Sequence, residues 1–133
     1  MIKRILIPFT LLFSALSFGA TSGALAVDRA IPSSTQLAFP NDAKVFPEIS
    51  DFTVLSVIPM SNDAGERFAV ATIKNQALGR RTLTHKHLLA LTAEGKRIKP
   101  MQLSTIFDGQ ETLSLTLSFG ESKFPLLSVY TRN

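Results

Sequence analysis

The feature that most constrains the fold is a strict alternation of apolar and polar residues from Thr112 to Phe119. The apolar positions are Leu113, Leu115, Leu117 and Phe119. Because successive side chains of a strand point to opposite faces, this run predicts a strand with one face in the core and one in water. No stretch after the first 26 residues shows a sustained apolar period of 3.6 residues. The chain therefore predicts an all-β fold.

Other short runs, rich in β-branched and aromatic residues, repeat the strand pattern between turns. We predict strands at 52–58, 67–74, 80–84, 88–92, 97–101 and 124–131, and a loop from 102 to 111. Apolar residues on both faces of 67–74 predict a central strand, while Pro59 and Pro125 are expected at strand ends. About seven short strands of this kind are typical of an immunoglobulin-like antiparallel β-sandwich.

The first 26 residues have the layout of a secretory signal peptide. Lys3 and Arg4 precede an apolar run at 5–18, and Ala24-Leu25-Ala26 forms a small-x-small cleavage site. The run is too short to span a bilayer, which takes about 20 residues. We therefore expect a mature chain that begins at Val27, has no transmembrane segment, and is periplasmic or extracellular.

Composition limits the kinds of bonds, metal sites and partners that the mature chain can have. The chain has no Cys, so it has no disulfide and no thiolate metal site, which fits a bacterial envelope better than a eukaryotic secretory route. Without Lys3 and Arg4, the 14 basic residues fall to 12 against 10 acidic residues, a net charge of +2. Seven of these basic residues lie in 74–99 beside Glu94 alone. An anionic glycan is therefore a possible partner, although solvated turn residues explain the same pattern.

The sequence predicts an extended arm at residues 27–44, followed by a single β-sandwich domain at 45–133. The arm contains Pro32 and Pro40 and has no apolar period. Leu37 and Phe39 are two residues apart, so both would face the same side of a strand. We take them as candidate partner-binding residues that dock on a sheet edge, because extended segments often bind by strand addition.

Two basic pairs are further candidate partner-binding residues. Arg80 and Arg81 follow one turn, and Lys96 and Arg97 lie at a hairpin. Antiparallel strands would separate the pairs by roughly 27 Å, eight residues at ~3.4 Å each, so one compact anion pocket is not expected. A stripe that joins the pairs through Lys74, Lys86 and Lys99 would require Lys86 to face outward beside them. No helix-turn-helix, zinc finger or aromatic RNA-binding motif accompanies them, and no nucleic-acid partner is predicted.

His85 and His87 are weak candidates for a metal site. On a strand, residues i and i+2 share a face, and two imidazoles can then share Zn²⁺ or Cu²⁺. No third ligand is visible. A straight strand would place both His on one face with Leu83, Leu89 and Leu91, a conflict that a bulge or corner relieves, so exposed or half-buried histidines without metal are the favoured interpretation. No cofactor is predicted.

The sequence lacks the usual catalytic signatures. It has no G-x-S-x-G, no H-E-x-x-H and no Gly-rich phosphate loop. The leading hypothesis is an exported, non-enzymatic binding or scaffold module that contacts an envelope protein. The alternative is a periplasmic carrier of a metal ion or an anionic glycan.

The pattern from Arg67 to Thr131 resembles the telokin-like, immunoglobulin-like extracellular family of bacteria. The resemblance rests on RFAVATIKN, a strand that ends in Asn; on the hairpin LLALTAEGKRI; on DGQETLSLTLSFGE; and on the closing run FPLLSVYT. It implies an immunoglobulin-like fold and a small secreted or surface module without enzymatic activity. Thr92-Ala93 stands where the family often has an acidic pair, so the resemblance implies no cation site.

Overall fold

The computed structural model describes residues 24–29, 31 and 45–133. Its nine strands are β1 (Ala26–Val27), β2 (Phe52–Ser61), β3 (Glu66–Asn75), β4 (Arg81–Thr84), β5 (Leu89–Thr92), β6 (Arg97–Ile98), β7 (Ser104–Phe107), β8 (Thr112–Glu121) and β9 (Leu126–Tyr130). The described residues contain one 3-10 turn, His85–His87, and no α-helix. The prediction of an all-β fold is confirmed.

Three antiparallel sheets surround one core. One sheet has the order β1-β2-β3-β8, a second has the order β6-β5-β9, and β4 pairs with β7. The strand predicted to be central, β3, lies between β2 and β8. The 3-10 turn His85–His87 separates β4 from β5, so the chain leaves one sheet and joins another at this point.

The apolar alternation places side chains as the sequence predicts. On β3, Ala69, Ala71 and Ile73 are fully buried, and each faces a leucine of β8 in the register. The buried core joins the sheets and consists of Phe52, Ala69, Ala71, Ile73, Leu83, Leu88, Ala90, Phe107, Leu117, Phe119, Leu126 and Val129. Burial of this apolar area is the main favourable term in folding.

The predicted loop from 102 to 111 is wrong in part, because it contains strand β7. Ser104–Phe107 pairs with β4, and Phe107 is fully buried with its ring against Phe52, 5.0 Å between ring centroids. A four-residue strand is too short to show a clear period of two. Its pairing with β4 and the burial of Phe107 come from tertiary packing.

The boundaries of two other strands also differ from the predictions. β2 continues through Pro59 to Ser61, whereas the run predicted to extend to Met101 is a strand only at Arg97–Ile98. Pro59 is tolerated because its carbonyl points away from β3 and accepts the Asp28 amide at 2.9 Å. Its nitrogen therefore also faces outward, and no hydrogen bond to β3 is lost.

Asn75, at the end of β3, fastens two loops to the sheet. Its side-chain nitrogen donates to the carbonyls of Gly79 and Asp108 at 3.0 Å each, and its side-chain oxygen accepts the Ala77 amide at 3.0 Å. Asn75 is fully buried. Without this amide, three backbone groups of the two loops would lose their hydrogen-bond partner.

Gly109 brings the same two loops into close contact. A Cβ atom on Gly109 would lie 1.9 Å from the Leu78 carbonyl oxygen. No residue other than glycine fits this approach without displacing backbone. The two loops are therefore joined by hydrogen bonds at Asn75 and by steric fit at Gly109.

Replacing Asn75 by alanine should destabilise the protein by about 2–4 kcal/mol, because three hydrogen bonds made by a fully buried amide are lost together. Urea unfolding monitored by circular dichroism measures this change. Gln76→Ala is the matched control, since Gln76 is exposed, and surface changes usually fall within about 0.5 kcal/mol. A loss in the Asn75 variant no larger than in the control would contradict the role assigned to this amide.

Candidate interaction surface

A groove separates the outer edges of β2 and β9. β9 pairs on one side with β5, and no strand pairing joins it to β2 in the described residues. The groove encloses about 290 Å³ and is lined mainly by Val54, Leu55, Val57, Leu127 and Val129. This volume is at the lower limit of small-molecule sites, about 300 to 1,000 Å³, so the groove suits a few side chains better than a drug-sized ligand.

A bulge in β2 helps to open the groove. The register with β3 shifts between Val54 and Ser56, which leaves Leu55 unpaired. The Leu55 side chain is 54% exposed and lies at the groove. A bulge bends its strand and re-aims side chains, and here it presents a leucine to solvent beside the apolar lining.

The start of the predicted arm lies on the β2 edge as an added strand. Val27 faces Met60 in antiparallel register, and the Asp28 amide continues the pairing with Pro59. Farther along, Ile31 contributes to the groove lining. The chain thus already contains one extended segment bound at this edge.

The Asp28 carboxylate fastens this segment to the sheet. One oxygen accepts the Ser61 hydroxyl at 2.6 Å, and the other lies 3.5 Å from the Arg67 guanidinium. The side chains of Asp28 and Arg67 are only 16% and 15% exposed, so solvent screens the pair less than it screens a surface pair. Arg67 also donates to the Ser122 carbonyl at 3.0 Å, which connects the arm to the end of β8. The predicted cleavage after Ala26 would shorten β1 but would keep these contacts.

Leu37 and Phe39 lie outside the described residues. The chain before them reaches the groove at Ile31, and the chain after them resumes at Val45, whose carbonyl accepts the Tyr130 hydroxyl at 3.0 Å. Both flanks of the arm are therefore close to β9 or to its groove. The predicted docking of Leu37 and Phe39 remains a prediction.

The four candidate basic residues do not form one site. Arg80 pairs with Asp108 at 3.2 Å, and Arg81 pairs with Asp51 at 3.0 Å. At the β5–β6 hairpin, the Lys96 ammonium lies 3.7 Å from the Glu94 carboxylate, and Arg97 is half-buried in β6. Because a carboxylate accompanies Arg80, Arg81 and Lys96, the local positive charge is smaller than the sequence suggests.

His85 and His87 occupy the 3-10 turn and not a strand. With three residues per turn, residues i and i+2 point in different directions. The His87 Nδ1 atom accepts the Thr84 amide at 3.0 Å, and its ring lies 5.8 Å from the Phe52 ring. His87 therefore stabilises the turn. The His85 Nδ1 atom is buried and has no hydrogen-bond partner within the described part of the chain.

The described part of the chain contains no group of three or more His, Cys, Asp or Glu residues placed to hold a metal ion. In these same residues, no helix is long and apolar enough to cross a membrane.

Comparison with known proteins gives no relative. No family model, no curated protein and no solved structure matches this chain. The resemblance to the telokin-like family therefore remains a prediction.

The residues that build the groove are inconspicuous in the sequence. Asp28 and Ile31 belong to a stretch without apolar periodicity, and the bulge at Leu55 interrupts an ordinary strand run. A useful signal was available, because an acidic residue and an apolar residue three positions apart follow the predicted cleavage site. This pattern identifies an attachment point only once the structure shows that Ser61 and Arg67 lie opposite Asp28.

Asp28→Ala should loosen the arm without unfolding the domain. Loss of the carboxylate removes one hydrogen bond and one partly buried ion pair, which should raise amide exchange at Val27, Asp28, Arg29 and Ile31 about tenfold. Hydrogen exchange with mass spectrometry measures this, and Asp63→Ala, which removes an exposed acid, is the control. Equal exchange in the two variants would show that the carboxylate does not hold the arm.

Proposed function

We propose that this protein is an exported, non-enzymatic binding or scaffold module that contacts a protein partner in the bacterial envelope. The observation that carries the proposal is the groove between the edges of β2 and β9, beside which the chain's own Val27, Asp28 and Ile31 already lie. A strand edge beside an apolar groove is suited to an extended peptide, because backbone groups supply affinity and side-chain pockets supply specificity.

The lining of the groove defines the kind of partner. Its side chains are apolar or hydroxyl-bearing, and none carries a charge. A charged side chain would lose water there without gaining a partner. The expected ligand is therefore an extended polypeptide with uncharged, apolar side chains at alternate positions, and the arm residues Leu37 and Phe39 would add contacts to it.

We also infer that the architecture is an immunoglobulin-like sandwich. The supporting observations are the two larger antiparallel sheets, β1-β2-β3-β8 and β6-β5-β9, and the shared core between them. In such folds, function depends on edges and loops and not on the sheets. This inference agrees with a binding role and does not depend on any catalytic residue.

The proposal predicts that a charge at the groove weakens partner capture. Leu55→Glu places a carboxylate at the groove on a side chain that is already exposed, so the fold should persist, while crosslinking to the partner in the envelope should fall more than about tenfold. Leu78→Glu is the matched control, because Leu78 is 92% exposed and lies in the β3–β4 turn. Deletion of residues 27–44 should also weaken capture and leave the domain folded.

Mass spectrometry of the crosslinked products measures the outcome. A protein recovered with the wild type and with Leu78→Glu, but lost with Leu55→Glu, would support the proposal. Equal recovery with all three would contradict it. A loss of capture at high salt, with no effect of Leu55→Glu, would favour an anionic ligand bound by Lys and Arg, since salt screens such contacts.

A further inference from the structure

The outer edge of β8 presents unpaired backbone groups over half of its length. The Glu111 carbonyl accepts the Asn75 amide at 2.9 Å, so odd-numbered residues of this strand direct their backbone groups toward β3. The even-numbered residues direct theirs outward. Accordingly, the outward carbonyl of Ser118 accepts the Met101 amide at 2.7 Å.

The other outward groups belong to Thr112, Ser114 and Thr116. Among the described residues, no hydrogen bond engages their backbone N–H and C=O groups, and β8 pairs with no strand except β3. The side chains of all three residues are exposed. Three donors and three acceptors thus alternate along an open edge.

This edge lacks the usual protection against strand pairing. Natural edge strands are usually short, charged, bulged or interrupted by Pro. β8 has ten residues, and no residue from Thr112 to Gly120 is charged or is Pro. Its register shift with β3, at Phe119, lies beyond the open stretch from Thr112 to Thr116. Two other edges carry such protection: β2 has Pro59 and the bulge at Leu55, while β6 has two residues and begins with Arg97.

We propose that this edge pairs with the same edge of a second copy of the chain, antiparallel and centred on Ser114. In that register Ser114 lies opposite Ser114 of the second copy, and Thr112 lies opposite Thr116. Every outward N–H of these residues then meets an outward C=O. A register centred on Thr116 would require the Ser118 carbonyl, which Met101 already engages.

The side chains are compatible with the same register. The core-facing side of β8 in one copy is continuous with the core-facing side of β8 in the other, because a two-fold axis perpendicular to the sheet relates the two strands. Leu113 then lies beside Leu115 of the second copy, on the core side, where both side chains are only partly buried in the single chain. Thr and Ser meet on the outer side, and no pair of like charges is brought together across the interface.

A contact of this size implies a weak, reversible dimer. Few residues of each chain take part, so the buried area falls below the roughly 1,200 Å² of stable interfaces. The edge lies on the side of the four-stranded sheet away from the β2–β9 groove. The dimer would therefore present two grooves, and it does not require the function proposed above.

Charged substitutions at residue 114 test whether the β8 edge forms the dimer and whether the register is centred on Ser114. Ser114→Lys and Ser114→Glu each place like charges directly opposite in the dimer, which should raise the dissociation constant about tenfold or more in sedimentation velocity. A mixture of the two variants should restore association, because opposite charges then meet. Circular dichroism confirms that each variant is folded.

Thr72→Lys is the matched control. Thr72 lies beside Ser114 on β3 and shares a 2.9 Å hydroxyl contact with it, so this variant loses the same contact and gains the same charge one strand away from the edge. It should dimerise like the wild type. A wild type that stays monomeric up to about 1 mM would overturn the proposal, as would a dimer that Ser114→Lys does not weaken.

Discussion

The buried amide of Asn75 is the interaction on which the arrangement of the sheets depends. It ends the central strand, and it binds carbonyls from the turn that leads to β4 and from the loop that leads to β8. Because β8 pairs with β3 and β4 pairs with β7, these two loops connect sheets that share no backbone ladder. The Asn75 amide is shielded from water, so any displacement of the two loops would leave it unpaired. This cost holds the loops in place.

Once the sheets are fixed, their edges differ in character. The edge of β2 faces β9 across an apolar groove, and the N-terminal segment lies along part of it, fastened by Asp28 to Ser61 and Arg67. From Thr112 to Thr116, the outward-facing residues of β8 have polar side chains, and the strand keeps an unbroken register with β3. The first edge suits side-chain recognition, whereas the second suits backbone pairing, and the two lie on opposite sides of one sheet.

Three residues that the sequence makes conspicuous, Arg80, Arg81 and His87, make contacts within the fold. Arg80 and Arg81 each pair with an aspartate from another segment, which ties loops together at the surface. His87 accepts a backbone amide and packs on Phe52, and so it holds the corner where the chain changes sheets. Residue types that can bind ligands were visible in the sequence. Their intramolecular partners lie from 3 to 35 residues away, and only folding brings them together.

The sequence by itself determined the all-β class, the strands with clear alternation and the central position of β3, because a period of two and the burial of both faces are local properties of the chain. Tertiary structure decided what alternation does not encode. Pairing with β4 made a strand of Ser104–Phe107, and an outward-facing nitrogen allowed Pro59 within β2. The groove arose where two edges from distant segments met without pairing. Such features depend on which residues become neighbours, and a long-range contact leaves no periodic signal in the segments that make it.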